Sequence, residues 1–85
     1  MPEMTIEKRF GELVRKLRYK KRFNQEDFAD HLGIDRSYQG RIERGEVSTS
    51  LGMVEIIAKG LGLEISALMI LLDKEGKKTK GDPSP

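Results

Sequence analysis

Residues 24–45 read NQEDFADHLGIDRSYQGRIERG. Asn24 is a residue type that caps helices, because its side-chain oxygen accepts from a free backbone amide of the first turn. Gln25 opens the turn that follows, and Phe28, Ala29 and Leu32 recur at helical spacing, so they share one apolar face. Gly33 stands just past that run, where the chain commonly turns through left-handed backbone, and Ile34 points back to the core. Asp35 is placed to cap a second helix that runs to Gly45. The stretch therefore predicts two short helices joined across one glycine.

On the N-terminal side, Ile6, Phe10, Leu13, Val14 and Leu17 recur in steps of three and four, which predicts a helix over about Thr5–Lys21 with one buried stripe. Thr5 is its expected cap. Gly11 lowers helix propensity but allows a neighbour to pack closely. Phe23, just ahead of Asn24, is expected to staple the next helix. On the C-terminal side, Glu46–Ser50 is a polar loop, and Ser50 is placed to cap a fourth helix with Leu51, Val54, Ile57, Ala58 and Leu61 as its core stripe. Gly60 and Gly62 bracket its end. A final helix is expected over about Ile65–Leu72, with Ile65 and Leu68 inward. From Asp73 the chain reads DKEGKKTKGDPSP, without an apolar residue, and is expected to be a disordered tail. The predicted organisation is all-α: one domain over residues 5–72, then the tail over 73–85.

Composition narrows the chemistry. Eighty-five residues hold one core. There is no cysteine, so disulfides and thiolate metal sites are excluded, and the single His31 has no partners for a metal site. His31 is expected on the surface of the second helix. The N-terminus is charged from the start, and the longest apolar run, Ala67–Leu72, is too short to span a bilayer. A soluble, cytoplasmic protein without membrane contact is the expectation. The net charge is only +2, yet residues 1–23 carry eight basic residues against Glu3, Glu7 and Glu12, a local +5. That asymmetry points weakly to a polyanion partner.

Two capped helices across a glycine turn form a helix-turn-helix unit, whose second helix commonly enters the DNA major groove. The sequence resembles the phage repressor and Cro class of helix-turn-helix proteins, the XRE family. The resemblance rests on Leu17-Arg18, Asn24-Gln25-Glu26-Asp27-Phe28-Ala29, Leu32-Gly33-Ile34, Ile42-Glu43-Arg44-Gly45 and Ala58-Lys59-Gly60-Leu61-Gly62-Leu63, and covers about residues 6–69. Within that class, Asp35-Arg36-Ser37-Tyr38 followed by Arg41-Ile42-Glu43-Arg44 is most similar to the controller proteins of restriction–modification systems. The resemblance implies a compact five-helix, lambda-repressor-like domain that binds double-stranded DNA as a homodimer. It also implies a structural ion pair between Arg18 and Glu43.

The periodicity of the third helix divides its faces. Ile42 and position 39 go to the core, leaving Arg36, Ser37, Gly40, Arg41 and Arg44 outward. Arg36 lies where the family places its first base contact, and arginine can donate two parallel hydrogen bonds to a guanine. Ser37 and Arg41 are candidate base or phosphate contacts. Gly40 has two open readings, a deeper seat in the groove or close packing against another helix. Tyr38 is either a core residue with a solvent-facing hydroxyl or a contact to phosphate or a thymine methyl. Gln25 is the family position that binds phosphate, aided by the helix N-terminus. Arg44, Ser48 and Thr49 are candidate phosphate contacts, although Glu46 stands where a basic residue is common. Gln39 stands where the family has an aliphatic residue, so either it finds a partner at the core edge or the face is rotated.

Met53, Ile56, Met69, Ile70 and Leu72 exceed what one core stripe needs, and they are the expected homodimer surface. The sequence-level conclusion is a transcriptional regulator that binds a roughly palindromic operator. The alternative is an antitoxin-like protein-binding module on the same fold with secondary DNA binding. No paired-carboxylate pocket, nucleophile–base pair, phosphate loop or metal cluster is apparent, so no enzyme, cofactor, metal or small-molecule ligand is expected.

Overall fold

The computed structural model describes residues 4–79, with side chains as far as Glu75. Five helices follow one another: α1 (Ile6–Lys20), α2 (Gln25–Leu32), α3 (Arg36–Glu43), α4 (Leu51–Gly60) and α5 (Ile65–Thr79). There is no strand among the described residues.

Local chemistry sets most of the boundaries. Thr5 accepts from the Lys8 amide at 3.1 Å, Asn24 from Asp27 at 2.7 Å and Ser50 from Met53 at 3.1 Å. Each satisfies a donor that the first helical turn leaves free. Phe23 and Phe28 flank the Asn24 cap with ring centroids 5.3 Å apart, which is the expected staple. Gly33 ends α2 at φ 76°, and the Ile34 amide returns to the Ala29 carbonyl at 2.9 Å. Asp35 holds the N-cap position of α3, but its side chain makes no capping bond and instead accepts from the Ser37 hydroxyl.

The core is built from Phe10, Leu13 and Val14 of α1, Phe28 of α2, Ile42 of α3, Val54, Ile57 and Ala58 of α4, Leu61 just after it, and Leu68 and Leu72 of α5. Three residues expected inside are not. Ile6 is 53% exposed, Leu51 85% and Ile65 40%. All three sit in the first turn of their helices, where the rod overhangs the core it packs on. The expected end at Leu72 is also corrected. α5 continues to Thr79, so residues 73–79 are helical, and only residues 80–85 of the expected tail lie outside the described residues. The extension has its own anchor: Glu75 is buried and accepts from the Lys16 ammonium at 2.8 and 3.1 Å, binding α5 to α1.

α1 and α3 meet at Gly11. A Cβ there would collide with the carbonyl oxygens of Ile42 and Glu43, which are backbone atoms and cannot swing away. Gly11→Ala is therefore expected to destabilise the fold by about 1–3 kcal/mol despite alanine's better helix propensity. Urea denaturation measures it, and a more stable variant would contradict this packing.

Candidate nucleic-acid interface

The core-facing side of α3 ends in a buried polar knot. Arg18 donates from Nε to Glu43 Oε2 at 2.7 Å and from Nη2 to Oε1 at 2.9 Å, and its Nη1 reaches the Phe23 carbonyl at 3.0 Å. One guanidinium thus joins α1, the entry to α2 and the end of α3. Gln25 donates to Glu43 Oε1 at 3.1 Å, and Gln39 to Oε2 at 2.6 Å. Burial pushes the Glu43 carboxyl up, but hydrogen bonds from Arg18, Gln39 and Gln25, with the guanidinium charge, leave it below its ordinary value. The Glu43 hydrogen bond in turn raises Arg18.

Of the two readings of Gln39, the structure shows the first. Gln39 is fully buried with its amide on Glu43, so the face is not rotated. Its Oε1 has no hydrogen-bond partner among the described residues. Sequence periodicity could place Gln39 inward, but nothing in it identified Glu43, four residues on, as the partner.

With Glu43 turned inward, the outer face of α3 is left to Arg36, Ser37, Arg41 and, at its end, Arg44, all exposed. The Ser37 hydroxyl is engaged with Asp35. Tyr38 is half-buried and packs against the core cluster. Gly40 is buried, and the atoms nearest to a Cβ there belong to side chains. A Cβ there would lie 3.1 Å from Arg44 Nη1 and 3.6 Å from Gln25 Oε1. It is a notch in the outer face, covered by the polar ends of these two side chains.

The loop residues are more occupied than sequence suggested. Arg44 forks onto Glu46, Nε–Oε2 at 2.8 Å and Nη2–Oε1 at 3.2 Å. The Arg44 hydrogen bond and charge, with Arg41 and Lys8 nearby, hold the Glu46 carboxyl below its usual value. Ser48 donates to Glu7 of α1 at 2.9 Å. Its own backbone amide first, and Ser48 second, lower the Glu7 carboxyl. Thr49 is half-buried and lines an apolar groove of about 290 Å³ with Ile6, Phe10, Val54, Met69 and Leu72. His31 is exposed, with Nε2 3.1 Å from the Gly60 carbonyl.

The residues expected at a dimer surface divide. Ile56 is 41% exposed and Ile70 56%, while Met53 and Met69 are half-buried against the core. Leu72 is a correction: it is buried and completes the monomer core, because α5 packs on α1 there and Leu72 lines a groove with Ile6 and Phe10. Ile65, expected inside, joins the exposed apolar residues.

The family described as Helix-turn-helix domain matches residues 9–68. The control protein C.MunI from a Mycoplasma species is 41% identical over 71 residues, covering 82% of this chain and 96% of that protein. Among solved structures, the restriction–modification controller protein C.AhdI from Aeromonas hydrophila is 39% identical, with a TM-score of 0.68 over 72% of this chain and 92% of that one. The controller protein C.Esp1396I, solved as a tetramer with its natural 35-base-pair operator, is 30% identical, with a TM-score of 0.79 over 87% and 97%. With the two helices joined across the Gly33 turn, the inward glutamate and these relatives in agreement, the chain belongs to the helix-turn-helix family that includes the restriction–modification control proteins.

Proposed function

We propose that the protein is a sequence-specific DNA-binding transcriptional regulator. It acts as a homodimer on a roughly palindromic operator, with α3 in the major groove. The observation that carries this reading is the sorting of charge on α3. Its one acid, Glu43, is neutralised inside by Arg18, so the exposed face of that helix carries only positive charge. An exposed acid in that position would repel phosphate. The relative solved on its operator supports the same reading. The role is one of binding, with Arg36 and Arg41 reading bases and Ser37 assisting. Gln25 and Arg44 approach phosphate at the ends of α2 and α3, with Ser48 and Thr49 in the loop beyond. Tyr38 lies at the edge of the contact, and Gly40 allows close approach. Phosphate contacts supply most of the affinity and base contacts the choice of site.

Selection of bound duplexes from a random pool tests this. Two related half-sites, their centres about 34 Å apart, are the expected product. A pool that remains random would overturn the reading. The dimer surface is assigned to Ile56 and Ile70, with Met53 and Met69 contributing their exposed parts. Ile56→Asp is expected to sediment as a monomer and to bind the operator at least tenfold more weakly, while keeping its helical circular dichroism. Unchanged sedimentation would move the interface elsewhere.

A further inference from the structure

The Arg44–Glu46 fork is out of place on a surface that should be gathering phosphate. Both side chains are about half exposed, 59% and 49%, so the pair is not a structural tie of the kind formed by Arg18 and Glu43. Arg44 does not extend away from the helix. Its Nη1 lies over the Gly40 notch, and its Nε and Nη2 edge is filled by the Glu46 carboxylate. Lys8 lines one cleft with Arg44 and Glu46, and the charge of Arg41 also acts on that carboxylate, so it stands among three cations on the surface assigned to DNA.

Resting on the DNA-binding reading above, we propose that Glu46 is a selectivity residue, which holds the Arg44 guanidinium in an internal fork and withholds its charge from phosphate on unrelated DNA. Non-specific binding draws almost wholly on the number of phosphates neutralised. On unrelated duplex, Arg44 stays with Glu46 and one such contact is missing. On the operator, base contacts seat α3 firmly, and the exposed pair, weak by its nature, opens to release Arg44. Glu46 therefore lowers non-specific affinity more than operator affinity, and the ratio between them rises.

The test uses the full chain and its Glu46→Gln variant, titrated over a range of salt concentrations against a selected operator duplex and a scrambled duplex of equal length. The variant is expected to bind the scrambled duplex roughly three- to tenfold more tightly, with a salt slope steeper by about 0.9. Operator affinity should change less, so the specificity ratio falls. Adding Arg44→Gln to the variant is expected to return scrambled-duplex affinity to the wild-type level or below, because the released guanidinium is then gone. A gain that survives in the double variant would overturn the fork as the cause, leaving simple loss of a negative charge. Unchanged scrambled affinity and slope, or a loss confined to the operator, would overturn the proposal outright. Failure of the wild-type chain to prefer any duplex would instead overturn the DNA-binding reading beneath it.

Discussion

Glu43→Ala is expected to lose about 3–5 kcal/mol of folding free energy, because it strands the Arg18 guanidinium in the core without its counter-charge. That is a large share of the roughly 5–15 kcal/mol that holds a small domain together. Arg18 is 4% exposed at its side chain and Glu43 2%, so water does not replace the lost partner. Gln39 and Gln25 would each lose the acceptor they donate to as well. Glu43→Gln keeps much of the shape and is expected to cost less. Urea denaturation separates the two variants, and an alanine variant within about 1 kcal/mol of wild type would show that the pair contributes little. The same carboxylate gives the fold an acid limit. Glu43 titrates below its ordinary 4.5 in the folded chain, so the folded state binds that proton more weakly than the unfolded one. Its contribution is complete above the unfolded value and is lost as the pH falls through the lower folded value. Wild-type thermal stability should drop over that window, and Glu43→Gln should show a smaller drop. Equal acid sensitivity would assign the limit to other carboxylates, of which Glu7 and Glu46 are also lowered.

Arg36→Ala carries the largest expected effect on recognition. Arg36 is the exposed first residue of α3, where an arginine can pair with the two acceptors of a guanine. Its loss should remove about 1–3 kcal/mol of discrimination at one base pair of each half-site and leave non-specific binding less affected. In a selection with the variant, one position of each half-site becomes degenerate while the spacing persists. Loss at a phosphate residue would differ, weakening all sequences together with a shallower salt dependence. An Arg36→Ala site identical to the wild-type site would remove Arg36 from the reading residues.

The starts of α1, α2 and α4 and the single-glycine turn were legible because capping is local. Thr5, Asn24, Gly33 and Ser50 each act on backbone within a few residues of themselves. Periodicity also sorted Gln39 and Ile42 inward and Arg36 and Arg41 outward. It failed at the first turns, because a three-and-four spacing identifies a face but not where the opposing helix stops. Leu51 fits the α4 stripe and yet lies in solvent. The length of α5 was hidden for a related reason: a segment without apolar residues reads as a tail, and what holds it is an acid paired with Lys16, 59 residues earlier. Contacts across such separations leave no local signature. The same is true of Ser48 with Glu7, 41 residues apart. The Arg44–Glu46 fork is short-range, and the two-residue spacing of an arginine and an acid is the signal for it in the sequence.

The bond between Lys16 and Glu75 also bears on how the chain folds as it is synthesised. Phe10 and Val14 of α1 share one cluster with Leu68 and Leu72 of α5. α1 is thus covered in part by α5, far along the chain from it. Ribosomes add about 5–20 residues per second, so the part of α1 that α5 covers waits for seconds before α5 emerges. The two helices of the reading unit sit between them in sequence and lean on α1 through Gly11 and Arg18. The contact that joins α1 to α5 is therefore made only after both helices of the reading unit have been synthesised.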